Sequence, residues 1–311
     1  MALLAASFSG ACANDGLSAE CRFGSDCASG VCGPNGLCVV PDASASDASV
    51  DGSGDATSDR AVPDAALDAN ADVAPDAVVG CVPMGDGEIR RDETPLEATF
   101  SPRIVVAEDV GVDNVGASRP DGSRTWDLTG PFAGEQEVNL QRMPVAGAWF
   151  GESFPTATYA APLLSGSNLL GVFEARDDAL LLLGVVSPDD GFLRTELENS
   201  PPVPVLQFPM SVGTRWTADT TVTGLLNGVI STYTESYEFV ADAQGALSTP
   251  AGSFDVLRLR TTLTRLALVS TVSRRLTYLA ECEGQVGQVV SRDNETDDDF
   301  TRASELWRRA P

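Results

Sequence analysis

The seven cysteines of this chain are spaced very unevenly, and their spacing constrains the architecture more than any other feature of the sequence. One cysteine lies near the N-terminus, four are crowded into a short segment and two stand far apart in the remainder: Cys12; Cys21, Cys27, Cys32 and Cys38; Cys81 and Cys282. Crowded cysteines at short spacings indicate disulfides, which persist in oxidising compartments outside the cytoplasm. The spacing therefore predicts an exported protein in four parts, which comprise residues 1–12, 13–40, 41–80 and 81–311.

The first part is an apolar run, MALLAASFSGA, that leads directly to Cys12. The sequence Ser9-Gly10-Ala11-Cys12 resembles the lipobox of bacterial lipoproteins, although Ser9 stands where an aliphatic residue is usual and no positive residue precedes the run. The run is too short to span a membrane. The resemblance implies that Cys12 is lipidated and anchors the protein in the cell envelope, at the outer membrane or cell surface. A flexible apolar N-terminus, with secretion of the protein, is the alternative.

The second part carries the four crowded cysteines in CRFGSDCASGVCGPNGLC, a segment rich in turn-forming glycines. So short a segment cannot bury a core, so cross-links must take its place. We expect two disulfides among Cys21, Cys27, Cys32 and Cys38, and three pairings are possible. A metal site is the alternative, although the segment has neither a CxxC motif nor a histidine. The spacing resembles the N-terminal cysteine-rich module of Dickkopf proteins, which implies a fold type and not a signalling role.

The third part, residues 41–80, has no aromatic residue and no glutamate, and it contains eleven alanines and nine aspartates. The aspartates recur at nearly every fourth position, where like charges repel each other along a helix. Such a segment cannot bury enough apolar surface to offset its ordering entropy. It is predicted to be a disordered acidic linker, and a loose calcium-binding polyanion is the alternative.

The composition also limits the chemistry that the chain can perform. It contains no histidine and no lysine, so all twenty basic residues are arginines. Ser-His-Asp and Cys-His catalysis need an imidazole, and Schiff-base chemistry needs a lysine. The net charge of −25 excludes a general affinity for nucleic acids. We therefore expect a protein that is not an enzyme and uses no metal or cofactor; the alternatives are a carboxylate-dependent enzyme acting on polysaccharide and a purely structural surface protein.

The fourth part, the body, carries the pattern of antiparallel β-structure. Residues 214–222 and 229–240 are rich in threonine, tyrosine and valine, and they flank Asn227-Gly228, the strongest short-range hairpin signal. Residues 255–267 and 270–282 alternate apolar with polar side chains, which is typical of strands with one buried face.

A continuous apolar run, Ala179–Val186, fits either a buried strand or a short helix, which periodicity cannot distinguish. Glycine and proline recur between the apolar runs, and no long segment has a helical period. The body is therefore predicted to be mainly β, with an antiparallel sheet curved into a half-barrel or folded into a sandwich.

Two cysteines remain to bracket the body. If Cys12 is lipidated and the crowded four pair with one another, Cys81 and Cys282 are left to form a third disulfide. Such a bond closes a loop of about 200 residues, for which the chain-entropy model gives about 5 kcal/mol as an upper estimate. A free thiol at one of these positions is the alternative.

Four phrases of the body occur together in one order: WDL at 126–128, FPTA at 154–157, FPMSVGTRW at 208–216 and TPAGSFDV at 249–256. This order is similar to that of an uncharacterised β-rich domain of secreted bacterial proteins and lipoproteins, and it resembles the curved-sheet fold of lipoprotein-carrier proteins. The resemblance implies a concave sheet that binds an apolar ligand or a protein partner. Trp126, Trp216 and Phe254 within these phrases are expected to be core residues.

Two charged groups in the body remain open to more than one interpretation. The first is a group of four arginines on adjacent predicted strands: Arg258, Arg260, Arg274 and Arg275. They either line one face and bind an anion or pair with neighbouring carboxylates. The segment 293–299 has the alternating acidic positions of a calcium loop, but it lacks the loop's glycine and its closing glutamate. A solvated acidic turn is the simpler interpretation of that segment.

Overall fold

The structure of the protein is a computed structural model that describes residues 81–163 and 168–311, all of which belong to the body. The first three predicted parts lie outside the described residues, together with the cysteines assigned to them: Cys12, Cys21, Cys27, Cys32 and Cys38. Lipidation, the two disulfides of the cysteine-rich segment and the acidic linker therefore stay predictions.

The described residues form fourteen strands and one short 3₁₀ turn at Arg91–Glu93. The strands are β1 Arg103–Gly111, β2 Ala117–Ser118, β3 Arg124–Asp127, β4 Gln136–Asn139, β5 Tyr159–Pro162, β6 Leu170–Ala175, β7 Ala179–Val186, β8 Glu196–Gln207, β9 Arg215–Leu226, β10 Val229–Thr249, β11 Gly252–Leu266, β12 Ser270–Ala280, β13 Gly284–Ser291 and β14 Arg302–Arg309. Within this part of the chain no helix is long and apolar enough to cross a membrane.

All fourteen strands belong to one open sheet, whose long path runs β4-β1-β14-β13-β12-β11-β10-β9-β8-β7-β6-β5. The ten strands from β5 to β14 follow one another as antiparallel neighbours, and β1 and β4 extend the sheet beyond β14. The short β3 pairs in parallel with the end of β10. The prediction of a mainly β, antiparallel fold is confirmed, as a single sheet rather than a two-sheet sandwich.

The sheet is strongly curved. With neighbouring strands about 4.8 Å apart, twelve strands laid flat would span about 50 Å. Nevertheless Ile104 on β1 and Tyr159 on β5, close to opposite edges, line the same cavity. The chain after β4 connects the edges, because Met143 and Ala160 form an isolated antiparallel bridge with N···O distances of 2.9 Å.

The local sequence signals explain the central strands. Asn227 and Gly228 both have positive φ angles, 50° and 76°, as a tight two-residue hairpin requires, and they join β9 to β10 as predicted. The ambiguous run Ala179–Val186 is a strand, β7, and seven of its eight residues are buried. Its alternate side chains pack into two different clusters, Leu181 and Leu183 in one and Leu182 in the other, so both faces are covered and a continuous apolar run is expected.

Both faces of the central strands are covered. On the convex face, the Trp126 ring packs edge-on against Tyr278 with centroids 5.2 Å apart. On the concave face, Trp216 stacks on Phe239 at 4.8 Å. The prediction that Trp126 and Trp216 are core residues is confirmed, whereas Phe254 is only partly buried against the core.

The predicted disulfide between Cys81 and Cys282 is present, and the two cysteines are 201 residues apart in sequence. The backbone N–H of Cys282 also donates to the Glu93 carbonyl at 2.7 Å, so the covalent link and a hydrogen bond hold the same two segments together. They attach the start of the body to the turn between β12 and β13.

Candidate functional site: a cavity on the concave face of the sheet

The concave face of the sheet encloses a cavity of about 350 Å³. This volume lies at the lower end of the range of about 300–1,000 Å³ that is typical of small-molecule sites. Apolar and aromatic side chains from strands across the sheet form most of its wall: Phe173, Leu180, Val205, Tyr237, Leu263 and Leu279. A site of this kind favours an apolar ligand over a polar one.

The cavity is closed at one end and open at the other, as successive inward-facing side chains of β11 show. Leu259 is 2% exposed and Thr261 is also buried, whereas Leu263 is partly exposed and the side chain of Arg265 is 48% exposed. The closed end lies near the disulfide, where Pro95 contributes to the lining. The mouth therefore lies at the end of the sheet that carries the β11–β12 turn.

Arg142 seals the gap between the two edges of the sheet. Its guanidinium donates to the carbonyl oxygens of Pro95 and Glu97, at 2.8 and 3.2 Å. The same group lies 4.8 Å from the ring centre of Phe100 and 4.5 Å from that of Tyr159. Burial lowers the pKa of Arg142 and raises the pKa of Tyr159. The guanidinium of Arg142 is therefore fully occupied by contacts within the protein.

A second charged group, near the mouth, is also internally satisfied. Arg265 Nε donates to Glu235 at 2.8 Å, and the Tyr237 hydroxyl donates to the other oxygen of the same carboxylate at 2.6 Å. The guanidinium also lies 5.2 Å from the centre of the Tyr233 ring. Burial raises the pKa of Tyr237, and Glu235 raises it further, so this hydroxyl stays protonated and continues to donate.

Arg275 is different from the other arginines of the cavity lining. On its own face of the sheet it is flanked by Thr261 on β11 and Val290 on β13, its direct cross-strand neighbours. Its guanidinium makes no hydrogen bond and no ion pair within 4 Å to any of the described residues. Burial lowers the pKa of Arg275, an effect that Tyr237 and Glu305 oppose only in part from longer range.

The remaining arginines of the predicted group face the other way. Arg258 pairs with Asp242 at 2.9 Å, and Arg260 pairs with Asp298 at 2.6 Å. Arg274 also pairs with Asp298. The four arginines thus do not form one anion site: three take the predicted carboxylate partners, and Arg275 lies on the opposite face.

The acidic segment 293–299 is the connection between β13 and β14, and its carboxylates serve these arginines. Asp298 accepts from two of them, and Asp299 lies 3.5 Å from Arg258. No group of three or more potential metal ligands is found in the part of the chain that the structure describes. The geometry corresponds to an acidic turn that neutralises neighbouring cations.

A rim of exposed apolar side chains lies at the same end of the sheet as the mouth. Phe192 in the β7–β8 loop is 96% exposed, and Ile230 beside the β9–β10 turn is 85% exposed. Leu268 and Val269 in the β11–β12 turn are also exposed. Turns of soluble proteins are usually polar. The apolar residues that flank Asn227-Gly228 depart from this rule, and this departure was the signal in the sequence from which the rim could have been predicted.

No protein-family model, curated protein or solved structure matches the chain. The function is therefore inferred from the cavity and its surroundings.

Proposed function

We propose that the body is a ligand-binding domain without enzymatic activity, carried by a membrane-anchored lipoprotein of the cell envelope, and that it holds an apolar molecule in the concave cavity. The observation that carries this proposal is the cavity itself, which is walled mainly by apolar side chains and open at one end. A ligand that covers these walls gains about 25 cal/mol for each Å² of apolar surface removed from water.

The polar groups of the lining support binding over catalysis. Glu235 is the one carboxylate residue among the described residues of the lining, and it already accepts hydrogen bonds from Arg265 and Tyr237. Hydrolysis of a polysaccharide by paired carboxylates requires two such groups on either side of the substrate. The cavity thus favours the ligand-binding hypothesis over the enzymatic one.

The apolar rim supports a location beside a membrane. Phe192 and Ile230 lie at the end of the sheet where the cavity opens, so both side chains could enter the interfacial region of a bilayer while the mouth faces it. Lipidation at Cys12 would keep the body near that surface. An apolar ligand would then move between bilayer and cavity without crossing bulk water.

The test is ligand binding by the full chain. Native mass spectrometry of the protein purified from its own membrane should show a bound apolar molecule, and the stripped protein should bind the neutral fluorescent probe N-phenylnaphthylamine. Leu263→Trp places bulk in the cavity and should weaken probe binding, whereas Leu266→Trp, at an exposed position on the same strand, should not. A protein that carries no ligand and binds no probe would contradict the proposal.

A further inference from the structure

The strongest unexplained feature of the cavity is an arginine that has no carboxylate within 4 Å among the described residues. Five arginines among the described residues contribute atoms to the lining, including Arg274, whose guanidinium points to the other face of the sheet. Four of the five have partners: Arg142, Arg265, Arg274 and Arg308. Arg275 is the fifth, and it is the one that has neither a hydrogen bond nor an ion pair within 4 Å among the described residues.

We propose that the cavity selects a single-chain anionic amphiphile of the fatty-acid type, whose carboxylate pairs with the guanidinium of Arg275. This inference rests on the proposed function, because it names the ligand class of the same cavity.

A lone guanidinium in an apolar cavity is costly, since a charge taken from water needs a partner of opposite sign. Burial lowers the pKa of Arg275, which reports the same unfavourable environment. Arginine nevertheless keeps its proton, so the cost is relieved by an anion and not by deprotonation. Among the described residues no carboxylate lies within 4 Å of Arg275, and Glu305, two strands away in the same cross-strand row, opposes the effect of burial only in part. The pairing anion is therefore expected to arrive with the ligand.

The position of Arg275 suits the head of an amphiphile. The row of side chains next to it on the mouth side contains Tyr237, Leu263 and Ser273, and the row on the closed side contains Leu259 and Thr277. Arg275 therefore lies partway down the cavity, with apolar wall above and below it. A carboxylate at this depth leaves apolar surface for its hydrocarbon tail.

The size of the cavity and the number of free cations favour a fatty acid over a larger or more highly charged lipid. A volume of about 350 Å³ is small for a ligand with two acyl chains. A single guanidinium matches the single charge of a carboxylate and can bind both of its oxygens in a bidentate arrangement. A phosphate monoester would bring a second negative charge, for which the described residues of the lining offer no free partner.

The experiment compares charged and neutral ligands of equal chain length in the full, ligand-stripped protein. Dodecanoic acid, dodecanol and dodecyl phosphate are titrated into the wild type and into R275M, R275K and R260M. We expect R275M to weaken dodecanoate binding at least about tenfold, since a charge-assisted contact is lost, and to leave dodecanol binding unchanged. The affinity of R275K for dodecanoate should lie between those of the wild type and R275M. R260M, which changes a paired arginine of the other face, should bind dodecanoate as the wild type does.

The possible outcomes separate the inference from the proposed function. If dodecanol binds but R275M affects the acid and the alcohol equally, the inference is wrong and the cavity still binds apolar ligands. If dodecyl phosphate binds more tightly than dodecanoate, the carboxylate assignment is wrong. If none of the three ligands binds the wild type, both the inference and the proposed function are wrong. Should R275M not fold, R275Q replaces it in the same comparison.

Discussion

Arg274 and Arg275 are neighbours in sequence, but they lie on opposite faces of β12 and have opposite electrostatic surroundings. Arg274 donates to the Thr262 hydroxyl and to the Glu295 carbonyl, and it pairs with Asp298. Arg275 faces the cavity without a hydrogen bond or ion pair to the described residues. Arg274 thus contributes to the stability of the fold, and Arg275 is the residue that we propose to pair with a ligand.

This contrast predicts opposite effects on stability. Removing a half-buried charge that has no partner within 4 Å is neutral or stabilising, so R275M should leave the free energy of unfolding of the ligand-free protein unchanged or raise it by about 1 kcal/mol. R274M removes several hydrogen bonds and should lower that free energy by about 1–2 kcal/mol. Urea unfolding of both variants measures the difference. A clear loss of stability in R275M would show that its guanidinium is structural.

The disulfide between Cys81 and Cys282 should make a large contribution to stability, because its loop is long. Replacing both cysteines by serine should lower the free energy of unfolding by about 2–5 kcal/mol. Each single serine variant should lose a similar amount, since either change breaks the same bond. Thermal unfolding of the body with and without a reductant provides the check: the reductant should lower the melting temperature of the body in the wild type and leave that of the double variant unchanged.

The sequence predicted local features of the body well, because they depend on neighbouring residues. The hairpin at Asn227-Gly228 and the strands on either side of it follow from turn chemistry and residue composition. Simple alternation would also have separated Arg274 from Arg275, since consecutive residues of a strand face opposite ways. The prediction that grouped them on one face overlooked that rule.

The resemblance implied a concave sheet, but the closure and the lining of the cavity could not be predicted from the sequence, because they arise from contacts between distant segments. Its closure depends on the curvature of the whole sheet and on the bridge between Met143 and Ala160 near its two edges. The parallel pairing of β3 with β10 is equally non-local: Gly245 of β10 lies so close to the Arg124 carbonyl that a Cβ atom there would be 1.8 Å away. No pattern within either strand specifies such an approach.

An exposed ion-pair cluster should contribute to the acid sensitivity of the fold. Asp109 pairs with both Arg302 and Arg292, and hydrogen bonds from these arginines hold the pKa of the Asp109 carboxyl well below its ordinary value of 3.8. A carboxyl with a depressed pKa stabilises the fold above its ordinary pKa, and this contribution is lost as the pH falls towards the depressed value. D109N should therefore show a smaller drop in melting temperature below about pH 4 than the wild type. An identical drop in both proteins would mean that the cluster contributes nothing measurable, as is common for exposed pairs.

The apolar rim should govern the rate at which ligand enters the cavity and leave the final affinity unaffected. Phe192 and Ile230 lie outside the cavity lining, so replacing both by aspartate should preserve equilibrium binding of N-phenylnaphthylamine. The same change should slow transfer of the probe from phosphatidylcholine vesicles to the protein, because charged tips are repelled from the apolar part of the interface. Val82→Asp is the matched control, since Val82 is 75% exposed but lies next to the disulfide near the closed end. Stopped-flow fluorescence measures the transfer rate. Equal transfer rates in all three proteins would indicate that the probe passes through solution and that the rim has no role in its transfer.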